Sequence, residues 1–200
     1  TITLVMQESE AIRAKWSWSV PTPAALAAAS RCSPIVEIGA GNGHWANLLR
    51  KCGADVVAYD TPCWSGAYAA DEEASPASIA DGAKLMGKRE EGVEEGGPER
   101  AAEHPARALL LSWPDYQGRG SYSTQCLAAY TGETLLLLGE WRGRTLGSST
   151  PELGEDGQAF APGFQRAVEA QFELSEEHRL PSWPLFVDSL TIWRRRGGLA

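Results

Sequence analysis

The sequence predicts an α/β fold: a mainly parallel sheet finished by a C-terminal antiparallel hairpin. Three observations carry this. Short apolar runs stopped by glycine or an acid recur at Ile35-Val36-Glu37-Ile38, Val56-Val57-Ala58-Tyr59, Ala108-Leu109-Leu110-Leu111 and Thr134-Leu135-Leu136-Leu137-Leu138, as buried strands do. Stretches with helical spacing lie between them, and parallel neighbours need crossovers that helices fill. Two late strand-like stretches are separated only by a short connection, which suits an antiparallel pair.

Taken in order, Thr22-Pro23 reads as an N-cap with proline at the first helical position, and the alanines from Ala24 to Ala29 supply strong helix formers behind it. The first strand follows Pro34. After Gly43, Trp45, Leu48, Leu49 and Cys52 recur at helical spacing until Gly53 supplies a stop. The second strand ends at Asp60, closing a βαβ unit. Residues 61–97 lose both periodicities and read as irregular surface, with helix around residues 79–86 and a short strand at Val93. The next strand at Ala108 runs into Ser112-Trp113-Pro114-Asp115-Tyr116. A helix carrying Cys126, Leu127 and Tyr130 ends near Gly132, and a further strand closes at Gly139-Glu140. Residues 144–162 read as a loop. Phe164, Ala167, Val168, Gln171 and Phe172 mark an amphipathic helix, before a strand near His178-Arg179-Leu180, a Pro181-Ser182-Trp183-Pro184 turn and a last strand over residues 189–194.

At 200 residues, with 43% hydrophobic and 22% charged residues, the chain has ordinary globular composition. It is expected to form one domain over 1–200, with an irregular acidic segment at 61–104 inside it. Net charge is −8, of which −6 falls between Asp71 and Glu103. The remainder is nearly balanced and has no basic stripe, which disfavours a nucleic-acid partner. Cys32, Cys52, Cys63 and Cys126 form no C-x-x-C pair and have no histidine cluster beside them, so no metal site is expected and the thiols suit a reducing compartment. No apolar run approaches the ~20 residues of a membrane span. The expectation is a cytoplasmic chain with no membrane partner.

The chemistry concentrates in Glu37-Ile38-Gly39-Ala40-Gly41-Asn42-Gly43. Three alternating glycines permit positive φ and close approach of a ligand, and the following helix presents unpaired N–H groups. A dinucleotide fingerprint, G-x-G-x-x-G, needs glycine at its sixth place. His44 stands there instead.

The pattern resembles motif I of class I S-adenosylmethionine-dependent methyltransferases, acid-x-G-x-G-x-G, with Glu37 two residues before the first glycine. Trp18-Ser19-Val20-Pro21, the stretch from Val36 to Ala46, Leu109-Leu110-Leu111-Ser112-Trp113-Pro114-Asp115-Tyr116 and Gly139-Glu140 are similar to segments of uncharacterised methyltransferase-like proteins. The resemblance implies a Rossmann-like methyltransferase fold and S-adenosylmethionine as cofactor. It implies that Glu37 lies near the methionine moiety and that the loop from Gly39 through Ala40, Gly41 and Asn42 to Gly43 curves beneath the ligand. It further implies that Asp60, with Thr61 beside it, binds the ribose hydroxyls.

In this family the loop after the fourth strand faces the transferred methyl group. Trp113-Pro114-Asp115-Tyr116 is similar to the N-P-P-Y or D-P-P-Y loop of amine and amide methyltransferases, with Trp113 replacing the polar acceptor and Asp115 the second proline. Trp113 and Tyr116 are expected to wall the acceptor pocket. Asp115 is either a general base or a turn residue, and Glu140 is a second candidate base. The expected activity is methyl transfer to a small molecule; a cofactor-binding scaffold without turnover and a nicotinamide-dependent oxidoreductase are the alternatives.

Overall fold

Thr22 opens the first helix as expected: its hydroxyl accepts from the Ala25 N–H at 3.2 Å, and α1 runs Pro23–Ser30. In this computed structural model, residues 12–13, 16–61, 91–115, 118, 120–145, 156–184 and 186–197 are described. The remaining elements are β1 (Ile35–Ile38), α2 (His44–Lys51), β2 (Val56–Asp60), β3 (Val93–Glu95), a 3-10 helix (Pro98–Glu103), β4 (Ala108–Ser112), α3 (Tyr122–Ala129), β5 (Thr134–Gly139), α4 (Pro162–Gln171), β6 (Phe172–Arg179) and β7 (Ser189–Arg195).

The seven strands form one sheet in the order β3-β2-β1-β4-β5-β7-β6. β1 to β5 are parallel, whereas β7 lies antiparallel to both β5 and β6. This is the Rossmann-like arrangement of class I methyltransferases, with its terminal hairpin. The central strands are buried on both faces, which is why they read as unbroken apolar runs. Leu109, Leu111, Leu135 and Leu137 point to a core shared with Phe160, Phe164 and Val168. Leu110, Leu136 and Leu138 point to the opposite core, against Ile35, Trp45, Leu49 and Ile192.

Two elements differ from the sequence reading. β6 begins at Phe172 and spans eight residues, where a short strand near His178 is expected. α4 passes into it with no linker, so Phe172 is the first strand residue and not the last helical one. β6 is an edge strand whose half-buried positions alternate with exposed ones, and the polar Glu176 and His178 at half-buried positions mask the period. The 3-10 helix is the other. Gly97 and Pro98 start it, and Arg100 reaches back to the Glu95 carbonyl while its guanidinium lies 5.1 Å from the Tyr59 ring. The helix expected at 79–86 lies outside the described residues.

β1 and β4 are neighbours whose chain connections leave in opposite directions, and a ligand crevice forms where strand order reverses in this way. The ends of β1, β2, β4 and β5 and the start of antiparallel β7 share that edge, since Gly139 pairs with Ser189.

Candidate functional site

The glycine loop leaves β1 at this edge. Gly39, Gly41 and Gly43 have φ of 76°, 60° and 87°, all in the left-handed region where a Cβ costs energy. The N–H groups of Gly39 and Ala40 both donate to the Tyr59 carbonyl, at 2.9 and 3.0 Å, which pins the loop to the end of β2. The Asn42 side chain accepts from the His44 N–H at 3.1 Å and so organises the first turn of α2. His44 itself lies edge-on to Trp16, with ring centroids 5.6 Å apart.

Two carboxylates meet beneath the loop. Asp60 accepts a hydrogen bond from the Gly41 N–H, and its other oxygen receives the Thr61 hydroxyl at 3.4 Å. Glu37 is 2% exposed, and its Oε2 has no hydrogen-bond partner. Burial, reinforced by the charge of Asp60, pushes the Glu37 carboxyl up to about 8; a hydrogen bond from the Ala46 backbone and the charge of Arg50 oppose this. A buried carboxylate oxygen without a donor is costly, and a ligand ammonium would supply both the donor and the charge. The residues present therefore fit the amino-acid end of the cofactor implied by the family resemblance.

Tyr122 was not singled out by sequence. The first residue of α3, it packs over Gly39, where an added Cβ would lie 3.3 Å from Cε1 of its ring. Its hydroxyl is buried with no partner, and burial pushes its pKa well above the ordinary phenol range. An aromatic residue at a helix start gives no local signal for this placement.

The segment after β4 is set by Trp113, a non-glycine residue with φ of 48°. Its indole packs on Trp18 and Phe186, with ring centroids at 5.1 Å in each case, and its Nε1 donates to Asp188 Oδ2 at 3.3 Å. Gly139, close by, makes room for Ala159: a Cβ there would lie 2.4 Å from that of Ala159. Trp18 and Ser19 arrive from the N-terminal segment, which is tied down where Trp183 Nε1 donates to the Trp18 carbonyl at 2.8 Å and Trp45 Nε1 to the Ser19 carbonyl at 2.9 Å.

Asp115 is 1% exposed. Oδ1 accepts from the Ser123 N–H at 3.3 Å, and Oδ2 accepts from the Ser123 hydroxyl and from the Ala161 N–H at 3.0 Å. Burial raises its pKa, against the pull of these donors. Glu140 is equally buried, accepting from the N–H groups of Gln158 and Val187, each at 3.0 Å. Both carboxylates join segments distant in sequence. Tyr116 lies outside the described residues.

Asp188, also unmarked by sequence, precedes β7 and is 1% exposed. Its Oδ2 accepts from Ser19 Oγ at 3.1 Å and from Trp113, while Oδ1 has no hydrogen-bond partner. Burial lifts its carboxyl to about 7, with Glu140 adding to the rise and the Trp113 and Ser19 donors and the Arg13 charge working against it. The partners lie 169 and 75 positions away, so no local pattern could reveal it.

No protein-family model matches the chain, and no curated protein matches it. Solved structures do. One, reported for conversion of a disulfide bond into a thioacetal group during echinomycin biosynthesis, aligns at TM-score 0.49 with 14% identity, over 92% of this chain and 86% of the other. The 1,6-didemethyltoxoflavin-N1-methyltransferase of Burkholderia thailandensis, solved with S-adenosylhomocysteine, aligns at 0.45 with 16% identity, over 86% and 77%. The glycopeptide N-methyltransferase MtfA, complexed with sinefungin, aligns at 0.43 with 13% identity, over 88% and 86%. Among the described residues, no helix is long and apolar enough to cross a membrane.

Proposed function

We propose that the chain transfers a methyl group from S-adenosylmethionine to a small-molecule acceptor. The observation that carries this is Glu37: a buried carboxylate with an unpartnered oxygen, beside Asp60 and beneath a loop of three left-handed glycines. In this reading Glu37 receives the ammonium of the cofactor. Asp60, with Thr61 next to it, receives the ribose hydroxyls, for which a carboxylate is a two-oxygen acceptor. Gly39, Ala40, Gly41, Asn42 and Gly43 shape the floor. The cofactor, when bound, supplies an electrophilic methyl group on a sulfonium.

The chain's own task is alignment, because such a transfer needs little beyond nucleophile, carbon and leaving sulfur in line. In this reading Trp113 walls the acceptor side. Asp115, already accepting from Ser123 and Ala161, fits a positioning role: it fixes the Trp113 segment against α3 and the approach to α4. The lack of a basic stripe in the sequence speaks against a polyanionic acceptor.

One observation favours a second reading, a cofactor-binding protein without turnover. The loop after β4 lacks the polar acceptor of amine enzymes at Trp113, and the carboxylate of Asp115 is engaged in structure. Mass spectrometry of ligand released from the purified, denatured protein tests the cofactor, and a screen of acceptors with isotopically labelled methyl donor tests turnover. The proposal expects the sulfonium cofactor or its demethylated product, and label in an acceptor. Recovery of a nicotinamide dinucleotide instead would overturn it; cofactor without labelled product across the screen would favour the scaffold.

A further inference from the structure

The acceptor side of the crevice contains a second group whose chemistry is unmet. Asp188 is a buried carboxylate with one oxygen satisfied and the other without a hydrogen-bond partner. Beside it, three aromatic rings pack on one another, and one of them, Trp113, donates its Nε1–H to Asp188. Trp18 lies 5.1 Å from Trp113 and 6.3 Å from Phe186, and Trp113 lies 5.1 Å from Phe186, all as centroid separations. A carboxylate beside a cluster of aromatic rings is a combination that recognises an organic cation, the rings attracting positive charge through their quadrupoles and the carboxylate through its own charge.

The protein places a cation there itself. Arg13 is 3% exposed, and its guanidinium carbon sits 4.2 Å from the Trp18 ring centroid and 5.5 Å from that of Phe186. Its charge also acts on Asp188. Trp113, which lends both a ring and a hydrogen bond to this cluster, holds its backbone in the left-handed region, and such strain persists only where the surroundings enforce it. The cluster stands at the crevice edge, between the end of β4 and the start of β7.

We propose that Trp18, Trp113, Phe186 and Asp188 form a binding site for an organic cation, an ammonium or guanidinium group on the acceptor, and that the Arg13 guanidinium is an internal competitor for it. Asp188 thus provides, from the far side of the sheet edge, the anionic partner that the Trp113-Pro114-Asp115-Tyr116 loop does not. Describing this cation as part of the acceptor rests on the methyl-transfer reading; the cation site itself does not.

The test is calorimetric titration of the whole chain with butylguanidinium, with neutral butylurea as the matched control. Arg13→Met keeps an unbranched apolar stem against Trp18 while removing the competing charge. It should bind butylguanidinium about tenfold more tightly than the parent, because an occupied site lowers apparent affinity by its competent fraction. Tryptophan emission should change with the same midpoint. Butylurea should give no heat. Asp188→Asn in the Arg13→Met background should lose the gain, and Phe186→Leu serves the same purpose should circular dichroism show Asp188→Asn unfolded. Equal affinity of parent and Arg13→Met, equal binding of butylurea, or undiminished binding by a folded Asp188→Asn protein would each overturn the proposal. S-adenosylhomocysteine titrated into the same samples separates the two readings. Its binding without butylguanidinium binding overturns the cation site alone, whereas the reverse overturns methyl transfer and leaves the cation site standing.

Discussion

The charge of Asp60 acts on Glu37, and while Asp60 has a donor on each oxygen, Glu37 Oε2 has none. The consequence for Glu37 is a pH dependence. Its carboxyl rises from an ordinary 4.5 to about 8 on folding, so between those limits the folded chain keeps a proton that the unfolded chain has lost. Stability from this group is full below 4.5, falls as pH rises through the window and levels off above about 8. Glu37→Gln should therefore flatten the fall in melting temperature across that range. Ligand ammonium favours ionised Glu37, so S-adenosylhomocysteine binding near neutral pH should expel a proton. Titration in two buffers of different ionisation enthalpy should detect that proton in the parent and not in Glu37→Gln. Asp60→Ala removes the Gly41 bond and the acceptor proposed for ribose, and should weaken binding by about 1.5–3 kcal/mol, the usual worth of hydrogen bonds to a charged group. A folded Asp60→Ala protein that binds as tightly as the parent contradicts the ribose assignment. Both acids were legible because they stand at fixed offsets from glycines or a strand end. Tyr122, Asp188 and Arg13 were not, since their neighbours come from distant parts of the chain.

The elements were legible to the degree that their signals are local. Strand, glycine loop and helix from Ile35 to Lys51 follow from apolar runs and glycine positions, and α1 from its Thr-Pro start. β6 was foreshortened because an edge strand buries only alternate side chains, and the 3-10 helix because its contacts with Tyr59 are tertiary. Gly41→Val belongs to this scale. Its φ of 60° is one that L-residues adopt at a cost of roughly 1–2 kcal/mol, more for a β-branched side chain. The sheet should survive this, as read by circular dichroism, while S-adenosylhomocysteine binding is lost. Asp115→Asn probes the segment after β4. An amide can keep one acceptor oxygen but presents N–H₂ in place of the other, opposite a Ser123 or Ala161 donor. Unfolding in urea should show a loss of about 1–3 kcal/mol. If Asp115 were instead a general base, turnover would fall roughly 10²–10⁴-fold with an altered pH profile in a protein of parental stability, and that result would contradict the positioning role.

At the scale of the whole molecule, the strand order brings the glycine loop, Asp60, Trp113, Glu140 and Asp188 to one edge although they span much of the sequence. That the strands run mainly parallel was foreseeable from their alternation with helices; their order was not. The contents of the acceptor side were not, because Trp18 and Ser19 reach it from beyond the first helix and Phe186 and Asp188 from beside the last strand. The account as a whole depends on which cofactor this edge receives. Glycine geometry alone would serve either a dinucleotide or a sulfonium nucleoside; Glu37 and the absence of a sixth-place glycine at His44 favour the second. Calorimetric titration of the parent chain with S-adenosylhomocysteine and, separately, with NADH tests this most directly. Saturable binding of S-adenosylhomocysteine and no heat from NADH are expected, whereas tight NADH binding with no response to S-adenosylhomocysteine would contradict methyl transfer.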